Sequence, residues 1–139
     1  MVTCIRNANN AEQFDGLRIN FENGFEGETA AERREPTTPG DIQLFADAAH
    51  LAAEGDLPLH VSISFHWDEI VEYDGNSKSG YQHSIDQTDG VDIQVPQDSA
   101  ATIQRLASEE VNYAEGSGRT WAVTIETSNF IRSKNSVDR

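Results

Sequence analysis

The residues with most capacity for chemistry are His60, His66, Asp68 and His83. His60, His66 and Asp68 fall at even spacing within Leu59–Tyr73, so on a strand they share one face. His83 stands on the next segment of alternating character, Tyr81 to Ile85. Two imidazoles and a carboxylate form a donor set for Zn²⁺ or Fe²⁺. Strand residues six apart lie about 20 Å apart, so His60 and His66 cannot share an ion. His66, Asp68 and His83 are left as the metal candidates, and the preferred reading of that face is a solvated polar surface with no metal or cofactor. Ser64, His66 and Asp68 have the residue types of a hydrolytic triad. Alternate strand residues stand about 6.5–7 Å apart with parallel side chains, whereas a nucleophile needs its base at roughly 2.6–3.2 Å. No catalytic residue is expected.

Other motifs are weaker still. In Asp74–Gly80, Lys78 takes a ligand position of an EF-hand loop, and Ile85 stands where the closing glutamate belongs. That segment reads as a polar turn between strands. The glycines of Gly24-Phe25-Glu26-Gly27 flank an acid that would repel phosphate, and no Walker or Gly-x-Gly-x-x-Gly pattern occurs. Cys4, the one cysteine, sits in the apolar run Val2–Ile5 and reads as a small buried hydrophobe. An intrachain disulfide and a cysteine-based metal site are both excluded.

The elements that position these residues follow from periodicity. Val2–Arg6 and the alternation Leu17, Ile19, Phe21 predict two short strands. Glu22–Gly40, rich in glycine, proline and glutamate with Phe25 its main apolar residue, reads as an extended arm. Asp41 is the expected N-cap of a helix carrying Ile42, Phe45, Ala49 and Ala52 on one stripe and ending near Glu54 before Gly55. Val61, Ile63, Phe65 and Trp67 oppose His60, Ser62, Ser64, His66 and Asp68, and Leu59–Tyr73 is either one bent strand or a hairpin. Tyr81–Ile85 and Val91–Val95 are expected strands around the turn Asp89-Gly90. Asp98 or Ser99 caps a second helix bearing Ile103, Leu106, Ala107, Val111 and Ala114 and ending at Gly116. Arg119–Thr127 is the last strand. The expected fold is α+β in the order β-β-α-β-β-β-α-β, a mixed or antiparallel sheet of about four to six strands packed by two helices. It forms a single domain over residues 1–139: strands and arm in 1–40, the α+β core in 41–128, and a tail in 129–139.

Charge is the strongest compositional signal. Asp and Glu number 24 against 10 Lys and Arg, giving −14 over 139 residues, and only Lys78 and Lys134 are lysines. Such a shell repels itself in dilute buffer, and in molar salt the screening length falls to about 3 Å. Acid excess, scarce lysine and small apolar residues together resemble proteins of salt-loving archaea; the other reading is an ordinary acidic protein of a GC-rich bacterium, where arginine also displaces lysine. Direct nucleic-acid binding is disfavoured, since that requires a basic stripe. The sequence has no apolar run of about 18 residues that would span a membrane and no signal-peptide pattern at its start, which predicts a cytoplasmic location. The tail Asn129–Arg139 carries +2, leaving −16 on the remainder. It begins with Phe130 and Ile131 and continues with Arg132 and Lys134, and it reads either as a frayed terminus or as an arm that docks in an acidic groove of a neighbouring copy.

From Asp41 the order is helix, three strand segments, helix, strand. The Asp41–Glu54 helix, the Leu59–Tyr73 strand, the Asp98–Ala114 helix and the Arg119–Thr127 strand together resemble the tail-completion or head–tail joining proteins of tailed viruses. The resemblance covers about residues 41–128 and lies in order and length. It implies a non-enzymatic virion subunit in a neck or tail-end ring. Its edge strands and arms, with Phe25, Phe130, Ile131, Arg132 and Lys134 as partner-binding residues, would contact copies of itself and neighbouring structural proteins. Two other readings are a small enzyme or metal protein using His66, Asp68 and His83, and an acidic inhibitor that mimics nucleic acid.

Overall fold

The computed structural model describes residues 14–20, 37–97 and 99–125. In chain order its elements are β1 (Leu17–Ile19), α1 (Pro39–Glu54), β2 (Leu59–Ser64), β3 (Ile70–Tyr73), β4 (Asn76–Ser79), α2 (Gly80–Gln87), β5 (Gly90–Val95), α3 (Ala100–Gly116) and β6 (Thr120–Ile125). The protein is α+β, as expected from its sequence. Strands β1-β2-β5-β6 form a parallel sheet in that order, and β3-β4 form an antiparallel hairpin.

Side-chain caps start each helix. Thr38 is the N-cap of α1, and Asp41 completes the capping box by accepting the Thr38 N–H at 2.8 Å. Pro39 occupies the first turn, where its missing N–H and fixed φ suit a helix start. Asp41 is therefore three residues inside the helix rather than its cap. Ser79 and Gln82 make the same reciprocal box at α2, and Ser99 caps α3. The hairpin turns at Asp74 and Gly75, both at positive φ (48° and 73°), as a two-residue primed turn requires.

The sheet keeps one apolar face. Leu59, Val61 and Ile63 of β2 and Val91, Ile93 and Val95 of β5 join one buried cluster with Phe45 and Ala52 of α1, Ile85 of α2, and Ala107 and Ala114 of α3. All three helices thus pack on the same side. That is the expected outcome when sequential parallel strands are linked by crossovers of one hand. Trp67, in the turn after β2, stacks on Phe45 with ring centroids 6.1 Å apart. The opposite face carries the rows Arg18-His60-Gly90-Thr120, Ser62-Asp92-Ala122 and Ser64-Gln94-Thr124.

Several local expectations differ from the structure. Tyr81–Ile85 is helical, because Tyr81, Ser84 and Ile85 satisfy a helical period as well as the alternation seen in Tyr81, His83 and Ile85. The capping box Ser79–Gln82 decides between them. A third helix thus joins the expected two. Leu59–Tyr73 is neither a single strand nor a self-paired hairpin: β2 ends at Ser64, and β3 pairs with β4. Asp74–Gly80 holds the turn, all of β4 and the first residue of α2. The principal sheet is parallel although its strands alternate, because among the described residues only one face receives helices. The expected strand at Val2–Arg6, Cys4, Phe21, the arm from Glu22 to Pro36 with Phe25, and the tail with Phe130, Ile131, Arg132 and Lys134 lie outside the described residues.

Candidate functional site

Polar side chains on the helix-free face are bound to one another across intervening strands. Arg18 of β1 reaches over β2 to Asp92 of β5, with Nε 2.7 Å from Oδ2. Gln94 donates to Asn20 Oδ1 at 3.0 Å along a parallel path. His60 Nε2 and Thr120 Oγ1 are 3.1 Å apart, spanning β5 at Gly90. Ser62 lies between the first two braces, 1% exposed, and its Oγ has no hydrogen-bond partner. His60, Ser62 and Asp92 are therefore neighbours without forming a relay. The imidazole is turned to Thr120, the carboxylate to Arg18, and the hydroxyl to neither. This face braces the sheet.

His66, Asp68 and His83 are not gathered into a donor set. Among the described residues no group of three His, Cys, Asp or Glu side chains could hold a metal ion. His83 is buried in α2 with Nε2 2.9 Å from the Val71 carbonyl, its ring edge-on to Tyr73. It fastens the hairpin to the helix. The His66 ring lies against Phe65, and its backbone N–H donates to Ser64 Oγ at 3.3 Å, so the Ser64 hydroxyl stabilises the turn. Lys78 donates to Asp86 at 2.6 Å and to the Tyr113 hydroxyl at 3.3 Å, tying β4 to α2 and α3. Those hydrogen bonds, that to Asp86 foremost, hold its ammonium above the usual lysine range.

Glu110 was not anticipated. It is 1% exposed on α3, and its Oε2 has no partner. Burial first, then the nearby Asp68 and Glu109 charges, pushes its carboxyl up to about 7. Burial, with the same three carboxyls adding to it, also raises the Tyr81 phenol. The signal was available: Ile103, Ala107, Glu110 and Ala114 follow one helical stripe, which places a glutamate among core positions.

The remaining feature is the edge strand β6. Its sequence, Thr-Trp-Ala-Val-Thr-Ile, holds no charge, proline or glycine. Natural edges are usually blunted by such residues. All but Val123 are exposed, and Trp121 and Ile125 are each 42% exposed. Trp121 Nε1 donates to Glu115 at 3.3 Å, which holds the indole beside α3. The Thr120 N–H donates inward to Asp89 O. Backbone groups alternate sides along a strand, so those of Trp121, Val123 and Ile125 point away from β5. Among the described residues β6 pairs only with β5. No described helix is long and apolar enough to cross a membrane.

Comparison with protein-family models, curated proteins and solved structures finds no match.

Proposed function

We propose that the protein is a non-enzymatic assembly subunit that joins other chains by strand addition at β6. The observation that carries this reading is an edge strand that among the described residues pairs on one side only: six neutral residues with two large apolar side chains exposed, on a chain of net charge −14. Main-chain hydrogen bonds from an added strand supply affinity, and alternate side chains supply selectivity. The neutral strip is also where two acidic surfaces repel least. The acid excess and scarce lysine suit a high-salt host. Within assembly proteins, a neck or tail-completion subunit of a tailed virus of such a host is the place the resemblance names. Its support is the order α1, β2, α3, β6, with α2 an addition to that order.

The test is absolute mass by light scattering in molar KCl, for the wild type and for Val123→Pro. The Val123 N–H points to the open edge, where proline removes no internal bond and blocks pairing. A defined oligomer that Val123→Pro dissociates, with the fold retained by circular dichroism, supports the reading. A wild-type monomer, or an oligomer indifferent to Val123→Pro, overturns it.

A further inference from the structure

We infer that the strand added at β6 is β6 of a second copy, running antiparallel about a two-fold axis at Val123. This rests on the β6 edge reading above and names its partner. The argument begins with spacing. Trp121 and Ile125 lie two residues to either side of Val123, on the same face of the sheet, and are equally exposed. A two-fold axis perpendicular to the sheet keeps each face on its own side, so opposed residues must have the same parity. With Val123 opposite itself, Trp121 of one copy faces Ile125 of the other, and the reverse. Each exposed apolar side chain then gains an aromatic–β-branched partner, a favoured cross-strand pair.

The backbone agrees with this register. Trp121, Val123 and Ile125 are the residues whose N–H and C=O point outward, as the inward bond from Thr120 to Asp89 sets the alternation. All three opposed pairs are therefore hydrogen-bonded pairs, which supplies about six main-chain bonds. A shift of one residue would set Trp121 against a residue of the other face and turn the outward groups out of register. Two copies of net charge −14 repel each other, but the strip itself is neutral and in molar salt the screening length falls to about 3 Å, so β6 is where that repulsion is least.

Two sets of variants test it, measured in molar KCl beside the wild type. On a Cys4→Ser background, Val123→Cys is oxidised and run without reductant. Opposed residues of a hydrogen-bonded pair have Cα atoms about 5.5 Å apart, within disulfide range. The expected result is a cross-linked dimer from Val123→Cys and none from Thr124→Cys. In the second set, Trp121→Lys weakens the dimer roughly tenfold. Exchanging the two residues, Trp121→Ile with Ile125→Trp, keeps it, because the same aromatic–β-branched pair then forms across the axis. A β6-dependent oligomer in which Val123→Cys does not cross-link, or which the exchanged Trp121→Ile, Ile125→Trp pair fails to keep, overturns this inference and leaves the assembly reading standing. A wild-type monomer overturns both.

Discussion

The His60 imidazole and the Thr120 hydroxyl meet at 3.1 Å across the width of β5, directly over Gly90. A Cβ added at Gly90 would stand 2.2 Å from Thr120 Oγ1 and 2.8 Å from His60 Nε2. The glycine is thus set by side chains on two neighbouring strands rather than by its own backbone angle. Gly90→Ala must part the two groups, and should destabilise the fold by about 1–3 kcal/mol, the range for overpacking. The penalty should shrink on a Thr120→Ala background, where the closest atom is gone. A double-mutant cycle by urea unfolding reads the coupling, and equal penalties on both backgrounds would refute the clasp.

Arg18 and Asp92 make the longer brace, and their exposures differ: side chains 55% and 11% exposed. Removing Arg18 leaves a carboxylate in a nearly dry place, whereas removing both leaves nothing to desolvate. Arg18→Met should cost about 1–2 kcal/mol. Arg18→Met with Asp92→Asn should cost less than that single change. A double variant that is the less stable of the two, by chemical unfolding, would show the pair contributes as a net attraction instead.

Ser62 beneath that brace keeps an unpartnered buried hydroxyl. Ser62→Ala should leave stability unchanged or raise it by about 1 kcal/mol, since it removes a desolvated group without removing a bond. A clear loss of thermal midpoint would mean the hydroxyl has a partner.

Much of this architecture was legible because its strands alternate. Leu59, Val61 and Ile63 against His60, Ser62 and Ser64 announced a strand with one apolar face, and β2 has that form, although Ser62 on its polar face is buried as well. The same alternation concealed that the sheet is parallel, since parallel strands are usually covered on both faces and read as continuous apolar runs. Short segments were ambiguous for a different reason: over the eight residues of α2, periods of two and 3.6 share most of their positions. The braces on the polar face were not legible at all. Arg18 and Asp92 are brought together only by strand order, and no local pattern in the sequence fixes strand order. Glu110 was legible in its stripe, as a charge at a core position.

That carboxyl should make stability depend on pH. In the unfolded chain it titrates near 4.5, and in the fold near about 7. The neutral form suits the buried site, so its contribution is fully present below about pH 4.5 and is lost as pH rises to about 7, with no further change above. Asp68 at the β2–β3 turn and Glu109 on α3 add to the shift, while the Tyr81 phenol, raised itself, stays neutral through this window. Glu110→Gln lacks the titration but keeps the acidic shell, so the difference between the two proteins isolates the group. The variant should gain on the wild type by about 2–3 kcal/mol between about pH 4.5 and pH 8. A difference that stays constant over that range would refute the buried titration.

The acidic shell gives a separate, larger-scale dependence, on salt. Net charge −14 is spread over 139 residues, with 10 cations to offset 24 carboxylates. Repulsion among exposed carboxylates acts over the screening length, which falls from about 10 Å at 0.1 M to about 3 Å at 1 M. The unfolded chain spreads the same charge over a larger volume, so screening favours the folded state. The thermal midpoint should rise steadily from about 0.1 M to about 2 M KCl. Replacing four exposed carboxylates outside β6, Asp47, Asp56, Glu72 and Glu109, by their amides should raise the low-salt midpoint and flatten that slope. A midpoint that does not move with KCl in the wild type would remove charge repulsion as a determinant of this fold, and with it the ground for a high-salt host.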